Sequence, residues 1–210
     1  MIKSSFFGIF FLILFISSWT HANQTLDSFY QSTRSLQANF TQTIRTTRGK
    51  VIEQSTGKLL LDRPDKFILE YIAPAEQKYI SNGKTIWIYD VELEQVSIKN
   101  ISDNVGDSPA LLLSSNKNIY RHYDVNDLKN FKDDGLDWVE LRAKQEEMIF
   151  EKVILAFADK ELKKMIMYDS FGQVTQLNFS NMTVNIPFSS RQFNFVPPEG
   201  VDIMGSENVQ

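Results

Sequence analysis

The side chains able to do chemistry are few, and their spacing argues against most of it. The chain has no cysteine and two histidines, His21 and His122, so a thiolate nucleophile and a Cys/His zinc cluster are both out of reach. His122 falls in a run read as a strand, 119–124, where a surface or cross-strand role outweighs catalysis. The acid pairs Glu92/Glu94 and Glu146/Glu147 fall in turns, the usual place of solvated charge. Neither a Gly-x-Ser-x-Gly elbow nor a glycine-rich phosphate loop is present. No catalytic residue, metal site or cofactor is expected, and the chain reads as a non-enzyme. The charged residue in the oddest place is Arg63, which follows Leu59-Leu60-Leu61-Asp62 and precedes Pro64. Either it is solvated at a strand end, or it has a role that the rest of the chain must supply.

The elements around it begin with a leader. Lys3 stands ahead of the apolar run from Phe6 to Ile16, and Thr20-His21-Ala22 offers small residues at a cleavage site. This is the pattern of a secretory signal over residues 1–22. The run is short of the roughly 20 apolar residues of a membrane span, and no second charge cluster stops transfer. Residues 23–210 are then expected to form one domain. The formal net charge of −4 becomes −5 without Lys3, with scattered charges and no basic patch for nucleic acid. An exported chain without a disulfide must be stabilised by packing, which favours one continuous sheet.

Leu26, Phe29, Tyr30, Thr33 and Leu36 recur at helical spacing. From Gln37 the period becomes two, with Ala38, Phe40, Gln42 and Ile44 on one face. Arg48-Gly49-Lys50 makes a turn, and Ser55-Thr56-Gly57 is read as a break before a meander over 57–99. Asn82-Gly83 inside that meander predicts a type I′ hairpin, in which both residues take positive φ. Ile68, Ile72, Trp87 and Tyr89 give the meander apolar residues on its second face, so both sides must touch something. Ser108-Pro109 starts a short helix, Ala110 to Ser114, whose three leucines show that burial holds it. Further strands are predicted over 119–124, 136–143, 148–157, 162–169, 173–180, 182–188 and 192–196. The total is eleven to thirteen, the pattern of a large antiparallel sheet or barrel.

Several short matches run in order along the mature chain: Phe40-Thr41-Gln42, Gly57-x-Leu59, Arg63-Pro64-x-x-Phe67, Ser81-Asn82-Gly83-Lys84-Thr85-x-Trp87-x-Tyr89, Glu94-Gln95, Ser108-Pro109, Asp169-x-x-Gly172 and Phe193-x-Phe195-x-Pro197-Pro198-x-Gly200-Val201. Together they resemble the periplasmic carrier proteins for outer-membrane lipoproteins, the LolA family. Leu60 and Leu69 stand where that family often has aromatic residues. The resemblance implies a mainly β fold with a few helices. It would be an incomplete antiparallel barrel of about eleven strands, with a helical lid over an apolar cavity. It also implies a periplasmic monomer that takes acylated lipoproteins from an inner-membrane ABC transporter and hands them to an outer-membrane receptor lipoprotein. Arg63 would then latch the lid, through carbonyls near Leu113 and Ser114 and the first helix near Tyr30. Phe40, Phe67, Leu69 and Tyr71, which alternate along their strands, would face the acyl chains, with Leu36, Phe29 and Leu111. The rival reading is a sensor that uses the same half-barrel to detect mislocalised lipoproteins.

Overall fold

The computed structural model describes residues 24–101, 108–115, 119–129, 131, 134–145 and 148–205. The leader over 1–22, the Glu146/Glu147 pair and the tail over 206–210 lie outside the described residues.

Helix α1 (Gln24–Ser32) comes first, followed by the strands β1 (Ser35–Thr46), β2 (Val51–Asp62), β3 (Lys66–Ala73), β4 (Gln77–Asn82), β5 (Thr85–Asp90) and β6 (Gln95–Asn100). Two short helices, α2 (Pro109–Ser114) and α3 (Ile119–His122), precede a second run of strands: β7 (Tyr123–Asp127), β8 (Asp137–Ala143), β9 (Phe150–Ala158), β10 (Glu161–Asp169) and β11 (Gln173–Val184). A 3-10 turn (Ser190–Phe193) and β12 (Asp202–Met204) end the described chain. All twelve strands form one open, curled sheet in the order β12-β6-β5-β4-β3-β2-β1-β11-β10-β9-β8-β7. The two meanders are joined where β11 returns to pair antiparallel with β1.

Strand alternation sorts side chains between hollow and outside. Along β1, Leu36, Ala38, Phe40 and Gln42 are buried while Gln37, Asn39 and Thr41 are exposed. With Leu59 and Leu61 of β2, Phe67 and Leu69 of β3 and Val153, Leu155 and Phe157 of β9, they make one apolar lining. Helices α1 and α2 fill it from within. Leu26 and Phe29 are fully buried, the Phe29 ring lies 5.3 Å from that of Phe157, and every residue of α2 is buried. Ser108 caps α2, its side chain accepting from the Leu111 N–H at 3.1 Å, with Pro109 at the first helical position.

The outer face of the first meander is covered too. After β11 the chain crosses it as a strap: Phe193 is fully buried, and the Phe195 ring stacks 6.5 Å from Trp87 and 5.6 Å from Tyr89. The strap ends in β12, which pairs parallel to β6 along its edge. This accounts for the apolar residues on the second face, although Ile72 remains exposed.

Five local expectations differ from the structure. The first helix ends at Ser32, so Leu36 belongs to β1, its neighbour Ser35 already being paired with Asp62. The second strand is unbroken through Ser55-Thr56-Gly57, because Gly57 is where the Phe40 ring lies on the backbone; a Cβ there would meet the ring at 2.5 Å and the Glu70 carbonyl at 2.1 Å. In the β4–β5 turn only Gly83 takes positive φ (94°), the type II′ rather than I′ pattern. Asn82 instead accepts the Lys84 and Thr85 N–H groups at 2.9 Å on its side-chain oxygen. Residues 119–122, including His122, are helical, and the strand starts at Tyr123. Finally, 182–188 is no separate strand and 192–196 is no strand: β11 runs on to Val184, with Asn181 at φ 51° in its course. The twelve strands lie within the expected range, reached partly because these misplacements offset the unforeseen β12.

Candidate functional site

Arg63 lies between β2 and β3, its backbone N–H donating to the Arg34 carbonyl at 2.9 Å. It is only 6 % exposed. The guanidinium points into the sheet's hollow, where its Nε and Nη2 donate to the Leu113 carbonyl at 3.1 and 2.9 Å. Its Nη1 donates to the Thr33 carbonyl, just past the end of α1. The rings of Phe29 and Tyr30 flank it, with centroids 4.8 and 4.6 Å from Cζ. One cation thus joins α1, α2 and the sheet.

The need for it comes from α2. A helix leaves its last four carbonyls without partners, and here all four are buried in an apolar hollow. Each has a donor. Leu111 accepts from the Ser115 N–H at 3.0 Å and the Ser114 hydroxyl at 3.1 Å; Leu112 accepts from the Tyr30 hydroxyl at 3.1 Å. Leu113 accepts from Arg63, and Ser114 from the Asp65 N–H at 3.2 Å. Burial pulls the Arg63 guanidinium down to about 10, with the Tyr30 phenol pushing the other way. Burial raises the Tyr30 phenol to about 12 against the opposing pull of Arg63. Near neutral pH the first stays a cation and the second a donor.

Arg63, Leu113 and Tyr30 are thus brought together, but in a different arrangement from that expected. Ser114 is bonded by Asp65 and not by Arg63, and Tyr30 offers Arg63 its ring face, not a carbonyl. The acceptor at the end of the first helix is Thr33, just past Ser32 and inside the longer helix that the periodicity predicts.

At the other end of the hollow lies a cavity of about 530 Å³. Its wall on the first meander carries Gln42, Glu53, Ser55 and Asp90; Phe150 and Met167 face them from β9 and β10, and Ser108 and Pro109 close one side. Of the seven residues expected to line a cavity, Leu69 and Tyr71 do. Phe40 is packed over Gly57 with its ring 5.3 Å from Tyr71, and Phe29, Leu36, Phe67 and Leu111 are consumed in the interior between sheet and helices. Alternation identifies a face but not the depth along it, which the helices decide. Gln42 and Ser55 line the cavity without being among those seven, although a glutamine in step with Ala38, Phe40 and Ile44 is a visible signal. Burial pushes the Tyr71 phenol well above its ordinary value, reinforced by Tyr79 and Glu53. Among the described residues, no three metal-ligating side chains gather at one place.

A curled sheet with an apolar hollow, helices plugging it and a cavity at its rim has the form of a shell for an apolar guest. Residues 31–196 match the family described as outer membrane lipoprotein carrier protein LolA, and the chain belongs to that family. It is 35% identical over 195 residues to the outer-membrane lipoprotein carrier protein of Dechloromonas aromatica, covering 93% of each chain. The protein of the same description from Methylococcus capsulatus is 35% identical over 201 residues, covering 92% of this chain and 96% of that one. Among solved structures, an uncharacterized conserved protein from Thermus thermophilus shares the fold, with a TM-score of 0.54 at 14% identity over 86% of this chain and 96% of that one.

Proposed function

We propose that this chain, a single domain over residues 23–210 exported by a signal that is then cleaved, carries acylated lipoproteins through the periplasm. It receives them from an inner-membrane ABC transporter and delivers them to an outer-membrane receptor lipoprotein. It acts as a monomer and without covalent chemistry. Helices α1 and α2 are the lid, and Arg63 is its latch. The observation that carries this reading is the Arg63 node: a buried cation that donates to the Leu113 carbonyl of α2 and to the Thr33 carbonyl just past α1, the two helices that fill the hollow. Membership of the lipoprotein carrier family supplies the guest. Neither the fold nor the relatives favour the sensor reading.

Binding energetics explain why such a carrier needs a latch. An acyl chain of roughly fifteen methylenes gains about 12 kcal/mol on leaving water, at about 0.8 per CH₂. Bound with that full value, the guest would not be released. A packed empty state competes with it and lowers the affinity by the free energy of closure. The test is incubation of the purified chain with spheroplasts containing radiolabelled lipoprotein. Label is expected in the supernatant bound to the chain, and then on a soluble receptor. Label that stays in the membrane overturns the proposal.

A further inference from the structure

The cavity wall carries more polarity than alkyl chains require. Gln42 and Ser55 oppose each other on β1 and β2 and are 6 % and 5 % exposed. Gln42 Nε2 donates to Ser55 Oγ at 3.3 Å, and the Tyr71 hydroxyl donates to Gln42 Oε1 at 3.0 Å. These bonds use one of the amide's two N–H groups, so the other, and the Ser55 hydroxyl proton, remain to donate. A buried donor is costly without an acceptor, and a hydrocarbon chain supplies none. An ester carbonyl supplies only acceptors. Two residues along β2, about 7 Å nearer the rim, stands Glu53, with Asp90 further along the same wall at the end of β5. Among the described residues, the wall has no lysine, arginine or histidine.

We infer that Gln42 and Ser55, with Tyr71 fixing the amide by its bond to Gln42 Oε1, form a polar tier that takes the ester carbonyls of a neutral, glycerol-linked diacyl group, while Glu53 and Asp90 turn away diacyl lipids with an anionic phosphate headgroup. The inference rests on the carrier reading and gives it a specificity. A phospholipid offers the same two ester-linked chains, so the hollow alone cannot reject it. Its phosphate, seated with the esters on the tier, comes against the two acidic side chains. There it meets two like charges, Glu53 exposed and Asp90 half-buried, and among the described residues no cation in the wall compensates. A diacylglyceryl group on a thioether carries no charge at that depth.

The experiment measures displacement of a fluorescent fatty-acyl probe from the purified mature chain by diacylglycerol, by its dialkyl ether analogue and by phosphatidylglycerol. Wild type is expected to prefer the ester to the ether by about tenfold, the value of one or two hydrogen bonds, and to bind phosphatidylglycerol at least tenfold more weakly than diacylglycerol. Gln42→Leu combined with Ser55→Ala should abolish the ester preference while the ether still binds. Glu53→Gln with Asp90→Asn should raise phosphatidylglycerol binding about tenfold. Equal wild-type affinity for ester and ether, or no gain in phosphatidylglycerol binding by the neutralised variant, overturns the inference. The spheroplast release assay, run alongside, separates the two failures. Lipoprotein released without these preferences sinks only the specificity, whereas no release sinks the carrier reading as well.

Discussion

The two ends of the hollow are built on the same strands and behave oppositely. Towards Arg63, the concave positions hold Leu36, Leu61 and Phe67, and two helices fill the space until no residue of α2 is exposed. Towards the rim, the same faces hold Gln42, Ser55, Glu53 and Thr175 around an open cavity. The charges are distributed against intuition. The cation is in the apolar end, because the carbonyls of α2 are concentrated there, and exposed Glu53 is at the rim beside water. The sheet therefore sets which face is inside, and the helices set where along that face there is space. Filling one end buries all of α2 and the apolar side chains of α1, Leu26 and Phe29.

The comparison breaks most sharply at Arg63. Replacing it by leucine leaves the Leu113 and Thr33 carbonyls without their charged donor, at about 1.5–3 kcal/mol for each of these two acceptors, so the packed state should weaken by about 3–6 kcal/mol. Amide exchange in α1 and α2 should accelerate while β1 and β2 stay protected. The variant should accept lipoprotein at least as well as wild type and fail to hand it on. Arg63→Lys should fall between, since an ammonium cannot reproduce the fork. Transfer to receptor equal to wild type would return Arg63 to a purely structural role. Slightly smaller is the effect of Phe67→Ala, which opens a void in the filled end and should lower unfolding stability by about 3–5 kcal/mol in urea titration. A loss below about 1 kcal/mol would mean that this end is not the tightly packed one. At the rim, Tyr71→Phe removes a single hydrogen bond to Gln42, and about 1 kcal/mol is expected in the same titration. A larger loss there than at Phe67 would invert the comparison.

The smallest expected effect is that of pH. Arg63 at about 10 and Tyr30 at about 12 keep their charge states from pH 6 to 9, so exchange in α1 and α2, corrected for intrinsic rates, should be flat across that range. Above pH 10 the two groups act in opposite directions. The packed state has the lower Arg63 pKa and is favoured as the guanidinium loses its proton. It also has the higher Tyr30 pKa, so the open state loses the phenol proton first and is favoured by it. A transition in helix exchange near pH 7 would show that another titrating group controls the lid.

Most of the sheet was legible in the sequence, because alternation along Ala38, Phe40 and Gln42 and the turn chemistry at Gly49 and Gly83 are local properties. The errors fall where tertiary contacts override local chemistry. Gly57 looks like a break, yet it is required by the Phe40 ring across the ladder. Gln192 to Val196 alternates like a strand but lies on an outer face with no strand beside it, and β12 is too short to carry a pattern. In the site, Arg63 announced itself only by its position before Pro64. Its partners are backbone carbonyls, which no side-chain motif encodes. The depth of each cavity residue was illegible for a related reason, since it depends on how far α1 and α2 reach.

The strap that leaves β11, crosses the outer face over Trp87 and Tyr89 and ends on β6 acts as a tie across the back of an arch. A path on the outside of a curved shell lengthens as the shell curls and slackens as it flattens. Phe193 and Phe195 seat it on that face, and β12 occupies the β6 edge. The edge that a closing barrel would have to bring to β7 is thus already paired from within the chain.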